Sequence, residues 1–529
     1  MSTPTGPFGP VPLTPVAHLD RAASAFADRT AFVGERLRYT YGEMRERCAQ
    51  LAGALHQVGV TPGDVVSVLA PNTNVLLEAH FGVPMAGAVL NALNTRLTGD
   101  ELAYIVDHAG ARVLVVDHEL LHLVDPIRAA VPGLRVVVAG DADDEYERLV
   151  ERAEPTRVQV DDELTLLALN YTSGTTGRPK GVMYNHRGAY LQSLAMMGQS
   201  GLGPGSVFLW TLPMFHCNGW CFPWAVTLAG GTHLELRAID PARIWQAIRH
   251  DGVTHFNAAP TVLTMLAYGP WADDGPSERP VRVFTGGAPP SPTLLARMAE
   301  LNLDVTHLYG LTETYGPAVI CDWQDEWSAE DDAEQARLRA RQGVSNVAGL
   351  PVRVVDEQGA DVPADGAALG EVVLRGNNVM VGYYKDPEAT ANASVDGWFR
   401  TGDVGVMHPN GYIELRDRAK DVIISGGENI ASIEVEQALA SHPAVLECAV
   451  VSAPDDRWGE VPVAFVTLRP GATATEAELI EHVRSRLARF KAPKRVVLGE
   501  LPKTGTGKVQ KFVLREQLWS GRSDRIGAL

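Results

Sequence analysis

The sequence predicts an α/β protein in which a large N-terminal domain of α/β sheets precedes a small, mobile C-terminal α+β domain. Three observations predict it. A chain of 529 residues exceeds what one hydrophobic core usually serves, so two or more domains are expected. Short β-branched runs alternate with helical patterns through most of the chain, the signature of largely parallel sheets. After about residue 400 that alternation gives way to dense turns and short strands.

The elements follow in order. VVSVLA at 65–70 reads as a strand, with a helix near 73–87. RVLVVD at 112–117 and RVVVAG at 135–140 are further strands, and LTLLALNYTSG at 164–174 runs a strand straight into a glycine-rich loop. The charged stretch at 322–343 reads as a solvent-side helix or insertion. Asn410-Gly411 lies between VGVM and YIEL, a hairpin signal. A helix near 432–440, strands at 445–452 and 461–468 and a helix near 475–489 make the small domain. Domains 1–416 and 417–529 are expected, dividing within RDRAK at 416–420. No repeat period is visible.

Composition narrows the class. No run approaches the apolar length of a membrane span. The N-terminus MSTPTGPFGPVPLTP lacks a basic start and an apolar h-region, so a cytoplasmic protein is expected. Cys48, Cys217, Cys221, Cys321 and Cys448 form no C-x-x-C pair; buried free thiols fit better than disulfides or zinc. The net charge of −18 argues against nucleic acid as a partner. Yet Arg484, Arg486, Arg489, Lys491, Lys494, Arg495, Lys503, Lys508, Lys511 and Arg515 are opposed locally only by Glu500. That run is a candidate anion site or a solvated basic face.

Four stretches carry chemistry. In NYTSGTTGRPKGV, Gly174 and Gly177 let backbone N–H groups approach an anion. Thr172, Ser173, Thr175 and Thr176 add hydroxyls and Lys180 adds charge. Pro179 before the lysine and Gly181 after it depart from the Walker spacing, so a flap over phosphates or a surface turn is expected. In HLYGLTET, Tyr309, Thr312 and Glu313 offer a stacking ring, a phosphate contact and a Mg²⁺ ligand. In TGDVG, Asp403 is placed to accept two ribose hydroxyls, or is a turn residue. In LPKTGTGKVQK, Gly505 and Gly507 make a loop ending in Lys508, and Val509, Phe512 and Val513 are spaced to start a helix. Each alone is a common surface residue; their order along one chain makes coincidence improbable.

With YTSGTTGRPKG, YGLTET, TGD and PKTGTGK in this order, the chain resembles the acyl-adenylate-forming enzymes over nearly its whole length. LPMFHCNGWCFPW and KDVIISGGENI bring it nearer to the fatty and aromatic acyl-CoA synthetases. The resemblance implies ATP, Mg²⁺ and coenzyme A as cofactors. It places Thr172, Ser173, Gly174, Thr175, Thr176, Gly177 and Lys180 over the β- and γ-phosphates, and Glu313, with Thr172, on Mg²⁺. Tyr309 would stack on adenine beside Leu308 and Gly287, and Thr312 would touch the α-phosphate. Asp403 and Arg418 would bind ribose, Lys420 would be the hinge and Lys508 the adenylation lysine. Gly426, Gly427, Glu428 and Asn429 would border the CoA channel.

By the same resemblance, residues 213–224 line an acyl pocket with His216 beside the carboxylate and Trp220 as a gate. FTGGAPPSP at 284–292, with Gly287 and Ala288, forms the opposite wall. A core histidine and a packed indole are the plainer readings of His216 and Trp220. The implied reaction is ligation of a short- to medium-chain fatty, or aromatic, acid to CoA through an acyl-AMP. A stand-alone adenylation enzyme loading a carrier protein, a luciferase-like monooxygenase and a silent acyl or nucleotide sensor are the alternatives. Relatives in such a family are monomers or homodimers, and the sequence does not choose.

Overall fold

The computed structural model describes residues 9–140, 142–172, 178–418, 421–425, 428–455, 458–504 and 508–519. Two large sheets dominate. The first has seven strands, in the order Gly382–Tyr383, Gly181–Asn185, Leu166–Tyr171, Val89–Ala92, Val65–Leu69, Ala111–Asp117 and Arg135–Ala139. Leu166–Tyr171 and the four strands beyond it are parallel, Gly181–Asn185 runs antiparallel to them, and Gly382–Tyr383 pairs antiparallel with Gly181–Asn185. The second has nine strands and a parallel centre of Leu303–Leu311, Val281–Thr285, His255–Ala258, Val207–Leu209, Thr232–Leu234 and Thr30–Val33.

Both sheets are covered on both faces, which is why their strands read as unbroken apolar runs. Alternation decides which face each residue serves. Val66 and Val68 join Phe208, Phe222 and Phe284 in the core between the sheets. Val65 and Leu69 pack outward with Leu102 and Val106. On the far side of the second sheet, Leu209, Phe256 and Val283 meet the helices Pro241–His250, Pro260–Tyr268 and Pro292–Glu300.

A third, antiparallel sheet contains Gly370–Leu374, Trp398–Met407 and Ile413–Arg418. The hairpin forms where Asn410-Gly411 predicted it, although the connection is longer than two residues, His408 N donating to Tyr412 O at 2.8 Å. The ladder continues to Asp403 opposite Arg418, two residues beyond the expected 416/417 division. A fourth sheet is built wholly from Ile423 onward, with Gly459–Leu468 at its centre, Val445–Asp455 along one side and Ile423–Ser425 and Arg495–Leu498 along the other. Helices Ser432–Ala440 and Glu476–Arg484 cover one face and Lys511–Trp519 the other.

Some sequence expectations shift. The helix expected to 489 stops at Arg484, and the last helix starts at Lys511, because Val509 instead bridges Lys503 as an isolated strand pair. The charged stretch at 322–343 supplies one short helix, Asp332–Arg339, that buries only Ala336 and Leu338. Part of the basic run is paired within the small domain. Lys491 pairs with Glu434, Lys503 with Glu447, Lys511 with Glu436 and Arg515 with Asp421. All five cysteines are free thiols. Among the described residues no helix is long and apolar enough to cross a membrane.

Candidate active site

The glycine-rich loop leaves the seven-stranded sheet between antiparallel strands. Tyr171 stands opposite Gly181 in the ladder. Thr172 N donates to Lys180 O at 3.0 Å, and Lys180 N donates to Thr172 Oγ1 at 3.2 Å, closing the loop's base. Ser173, Gly174, Thr175, Thr176 and Gly177 lie outside the described residues. The Lys180 ammonium stands 4.9 Å from the centre of the Tyr383 ring. Tyr383 sits on the edge strand that pairs with Val182 and Met183.

The second motif occupies the end of Leu303–Leu311 and the 3₁₀ turn Thr312–Thr314. Gly310 is obligatory: a Cβ there would lie 2.0 Å from Gly316 O. Tyr315 and Gly316 take φ of 55° and 92° and turn the chain back antiparallel. Tyr184 fixes the turn, donating its hydroxyl to Thr312 O at 2.5 Å and stacking on Tyr315 at 3.7 Å. Three functional groups are thereby aimed. The Tyr309 hydroxyl donates to Asp403 Oδ2 at 2.7 Å, Tyr383 OH donates to Glu313 Oε1 at 2.8 Å, and Cys217 Sγ lies 3.7 Å from Thr312 Oγ1.

The predicted acyl segment adopts an unexpected backbone. Cys217, Asn218, Gly219, Trp220 and Cys221 have φ of 44°, 42°, 55°, 57° and 65°. This is one turn of left-handed helix with four side-chain-bearing residues, each costing roughly 1–2 kcal/mol. Tertiary contacts hold it. Asn72 accepts from Met214 N at 2.7 Å and donates to Trp210 O and Leu212 O. Asn218 Nδ2 lies 3.4 Å from His80 Nε2, and Trp224 Nε1 donates to His80 O at 3.1 Å.

Trp220 is buried between two glycines. A Cβ on Gly286 would lie 3.2 Å from the indole, and one on Gly316 would lie 3.0 Å from Trp220 Cα. Leu308 is buried behind Gly286, whereas Gly287, at φ 87°, faces open space beside the partly exposed Ala288. Burial first, then the cations Lys508 and Arg96, drive the His216 pKa down to about 4. The imidazole is therefore neutral at ordinary pH, and Lys508 of the small domain is electrostatically coupled to it.

The structure thus brings together Lys180, Tyr309, Thr312, Glu313 and Asp403, with His216 preceding Cys217 and within reach of the Lys508 charge. Arg418 stands opposite Asp403 in the strand ladder, and Glu428 and Asn429 form a strand turning back on Ser425. Lys420, Gly426 and Gly427 lie outside the described residues. Sequence reasoning missed Tyr383, Arg96, Tyr184, Asn72 and His80. For Tyr383 the only signal was the aromatic pair in GYYKDPEAT; the others carry no motif.

Comparison with known proteins finds relatives over nearly the whole chain. The AMP-binding enzyme family matches residues 19–384, and the AMP-binding enzyme C-terminal domain matches 434–508. A 2-methylpropanoate–CoA ligase of Humulus lupulus is 46% identical, covering 99% of this chain and 98% of its own. A peroxisomal benzoate–CoA ligase of Arabidopsis thaliana is 43% identical over 96% of this chain and 93% of its own. Among solved structures, ATP-bound MatB from Rhodopseudomonas palustris superposes with a TM-score of 0.84 at 29% identity, covering 96% and 99% of the two chains.

Proposed function

The chain belongs to the AMP-binding enzyme family, and from that premise we propose how its site ligates a short-chain fatty or aromatic acid to coenzyme A. The enzyme is an AMP-forming acyl-CoA synthetase using ATP and CoA. One observation supports the proposed residue roles above the others. Three side-chain contacts run from the single segment Tyr309–Glu313 to the other motifs: Tyr309 to Asp403, Thr312 to Cys217 in the acyl segment, and Glu313 through Tyr383 to Lys180.

In the first half-reaction a carboxylate oxygen attacks the α-phosphorus of ATP and pyrophosphate leaves. Both partners are anions. Lys508 and the Thr312 hydroxyl meet the charge that grows on the α-phosphate oxygens, which is electrostatic stabilisation by preset groups. His216, held neutral, offers an uncharged hydrogen-bonding face to the acid and does not trap it as an ion pair. Tyr309 and Asp403 hold the nucleoside, with Arg418 on the adjoining strand. Lys180 and Thr172 close over the outer phosphates.

Glu313 and Thr172 are oxygen donors suited to Mg²⁺, and the described residues contain no cluster of three or more acidic, His or Cys ligands. A site with one carboxylate fits a hard cation that takes most of its oxygens from phosphate and water. When bound, the ion would neutralise phosphate charge; Tyr383 would hold the Glu313 carboxylate in place for it.

In the second half-reaction the CoA thiolate attacks the acyl carbon, the C–O bond to phosphate breaks and AMP leaves. The thiol needs the space beside His216 that Lys508 influences. We therefore assign a rotation of the small domain about Lys420 between the two steps.

The test is conversion of ATP to AMP by the purified chain with CoA and a panel of acids from C2 to C16 plus benzoates. Thioester formation on C2–C6 or benzoate-type acids is expected; loss of ATP only with a carrier-protein acceptor, or none at all, would reverse the reading. Cytoplasmic residence and a homodimer are carried as proposals of the same kind. Cell fractionation and sedimentation test them, and recovery from peroxisomes would overturn the first.

A further inference from the structure

The strand His255–Ala258 ends between the two walls of the acyl pocket and carries a polar side chain that nothing so far has used. Asn257 is 0% exposed. Among the described residues neither its Nδ2 nor its Oδ1 has a hydrogen-bond partner. A buried amide without partners is among the costlier features a folded chain can carry, so such a group points to a ligand or an ordered water.

Register fixes where the amide points. Phe256 and Ala258 pack into the outer core under the helices, so the intervening Asn257 faces inward. On that face it pairs in the parallel ladder with Phe284. Phe284 lies 6.2 Å, ring to ring, from Phe222, which lies 5.0 Å from Phe208. Asn257 is also tied to the acyl segment through its main chain, which accepts the Thr211 hydroxyl at 2.5 Å. One wall, 213–224, follows Thr211; the other, 284–292, begins at Phe284. The amide thus stands among aromatic rings at the C-terminal end of a parallel strand, where α/β sheets bind ligands. On the facing left-handed turn, Asn218 Oδ1 is buried and unpartnered as well.

We propose that Asn257 reads a hydrogen-bonding group on the acyl chain, so that the preferred acid carries a hydroxyl, carbonyl or amide function beyond its carboxylate. This rests on the ligase reading and deepens it. An amide both donates and accepts, so it matches a hydroxyl or keto oxygen. It penalises the alkyl analogue, which would leave it desolvated and unpaired.

The experiment compares matched acids by pyrophosphate release in the presence of ATP, Mg²⁺ and CoA. Butanoate is set against 3- and 4-hydroxybutanoate, pentanoate against 4-oxo- and 5-hydroxypentanoate, and benzoate against its 3- and 4-hydroxy forms. For at least one pair the polar acid is expected to have a kcat/KM about tenfold or more above its partner. Asn257→Leu, close in volume, is expected to erase that preference, read as the ratio of the two kcat/KM values. If every unfunctionalised acid equals or exceeds its polar partners in the wild type, or if Asn257→Leu leaves the ratio intact, the amide holds an internal water and the inference is wrong. Should the variant fail to unfold cooperatively on heating, the wild-type ratios decide alone. Silence toward both series would overturn the ligase reading and this inference with it; activity without polar preference would overturn this inference only.

Discussion

Replacing Tyr383 by Phe removes one atom from the centre of the site. The phenol donates to Glu313 Oε1 at 2.8 Å, while its ring lies under the Lys180 ammonium at 4.9 Å. Burial and then the Glu313 charge push its pKa above the ordinary value, so the group stays a donor throughout the working pH range. Tyr383→Phe keeps the ring and its cation contact and loses only the donor. A hydrogen bond to a charged acceptor contributes about 1.5–3 kcal/mol. Tyr383 is only half-buried, so the low end applies, about tenfold. The expected result is a tenfold lower kcat/KM for pyrophosphate release, a higher Mg²⁺ concentration for half-saturation, and little change in Tm. Weaker Mg²⁺-dependent ATP binding by calorimetry should accompany it. Tyr383→Leu, which also removes the ring, should raise the KM for ATP by a further factor of about 2–5. If Tyr383→Phe shows the wild-type Mg²⁺ dependence and rate, the phenol does not position Glu313 and the reasoning fails.

Three further outcomes are expected. Lys508→Ala should slow acyl-AMP formation by about 10²–10³ while supplied acyl-AMP still reacts with CoA at near the original rate; equal losses in both half-reactions would refute a lysine dedicated to the first. Gly310→Ala, whose Cβ would meet Gly316 O at 2.0 Å, should lose about 1–3 kcal/mol or more together with activity, and an unchanged Tm would contradict the packing. Stability should fall steeply with acid. Burial holds His18 and His233 at about 3 and His80, His186, His255 and His307 at about 4, below their value of 6.5 when unfolded. The unfolded chain therefore takes up protons first, and the stability present above pH 6.5 is lost as pH falls toward about 4. Glu235, held up at about 7 by burial, opposes part of this. From pH 7 to 5.5 the net loss is on the order of 5 kcal/mol, read as a drop in the urea midpoint; a flat midpoint would refute it.

What the sequence revealed and what it hid divide along a physical line. The strands at 65–69, 111–117 and 135–139 were legible because both faces are buried and the β-branched run is continuous. The motif residues were legible because turn chemistry is local: Gly310 and Gly316 sit where only glycine fits. The pairing of Lys491, Lys503, Lys511 and Arg515 was not legible because their opposing acids Asp421, Glu434, Glu436 and Glu447 come from elsewhere in the chain. The left-handed turn at 217–221 was hidden for the same reason. Four of its five residues carry side chains, so nothing local favours it, and the contacts from Asn72 and His80 that impose it are more than a hundred positions away.

That hidden turn bears on how the enzyme divides its work. A segment held against its own backbone preference does not adapt cheaply, since relaxing it means breaking the Asn72, His80 and Trp220 contacts together. The proposed acyl pocket is thus a fixed shape built within the large domain. Lys508 belongs to the small domain, beside the strand pair made by Lys503 and Val509, and bears on His216 through charge. With the roles proposed above, choice of acid and timing of the two half-reactions reside in different parts of the molecule. Substitutions at Asn257 or Trp220 should change which acid is activated without changing the balance between adenylation and thioester formation. Substitutions at Lys508 should do the reverse. A variant in the left-handed turn that selectively slowed thioester formation, with acid preference intact, would show the two functions to be coupled through the pocket wall after all.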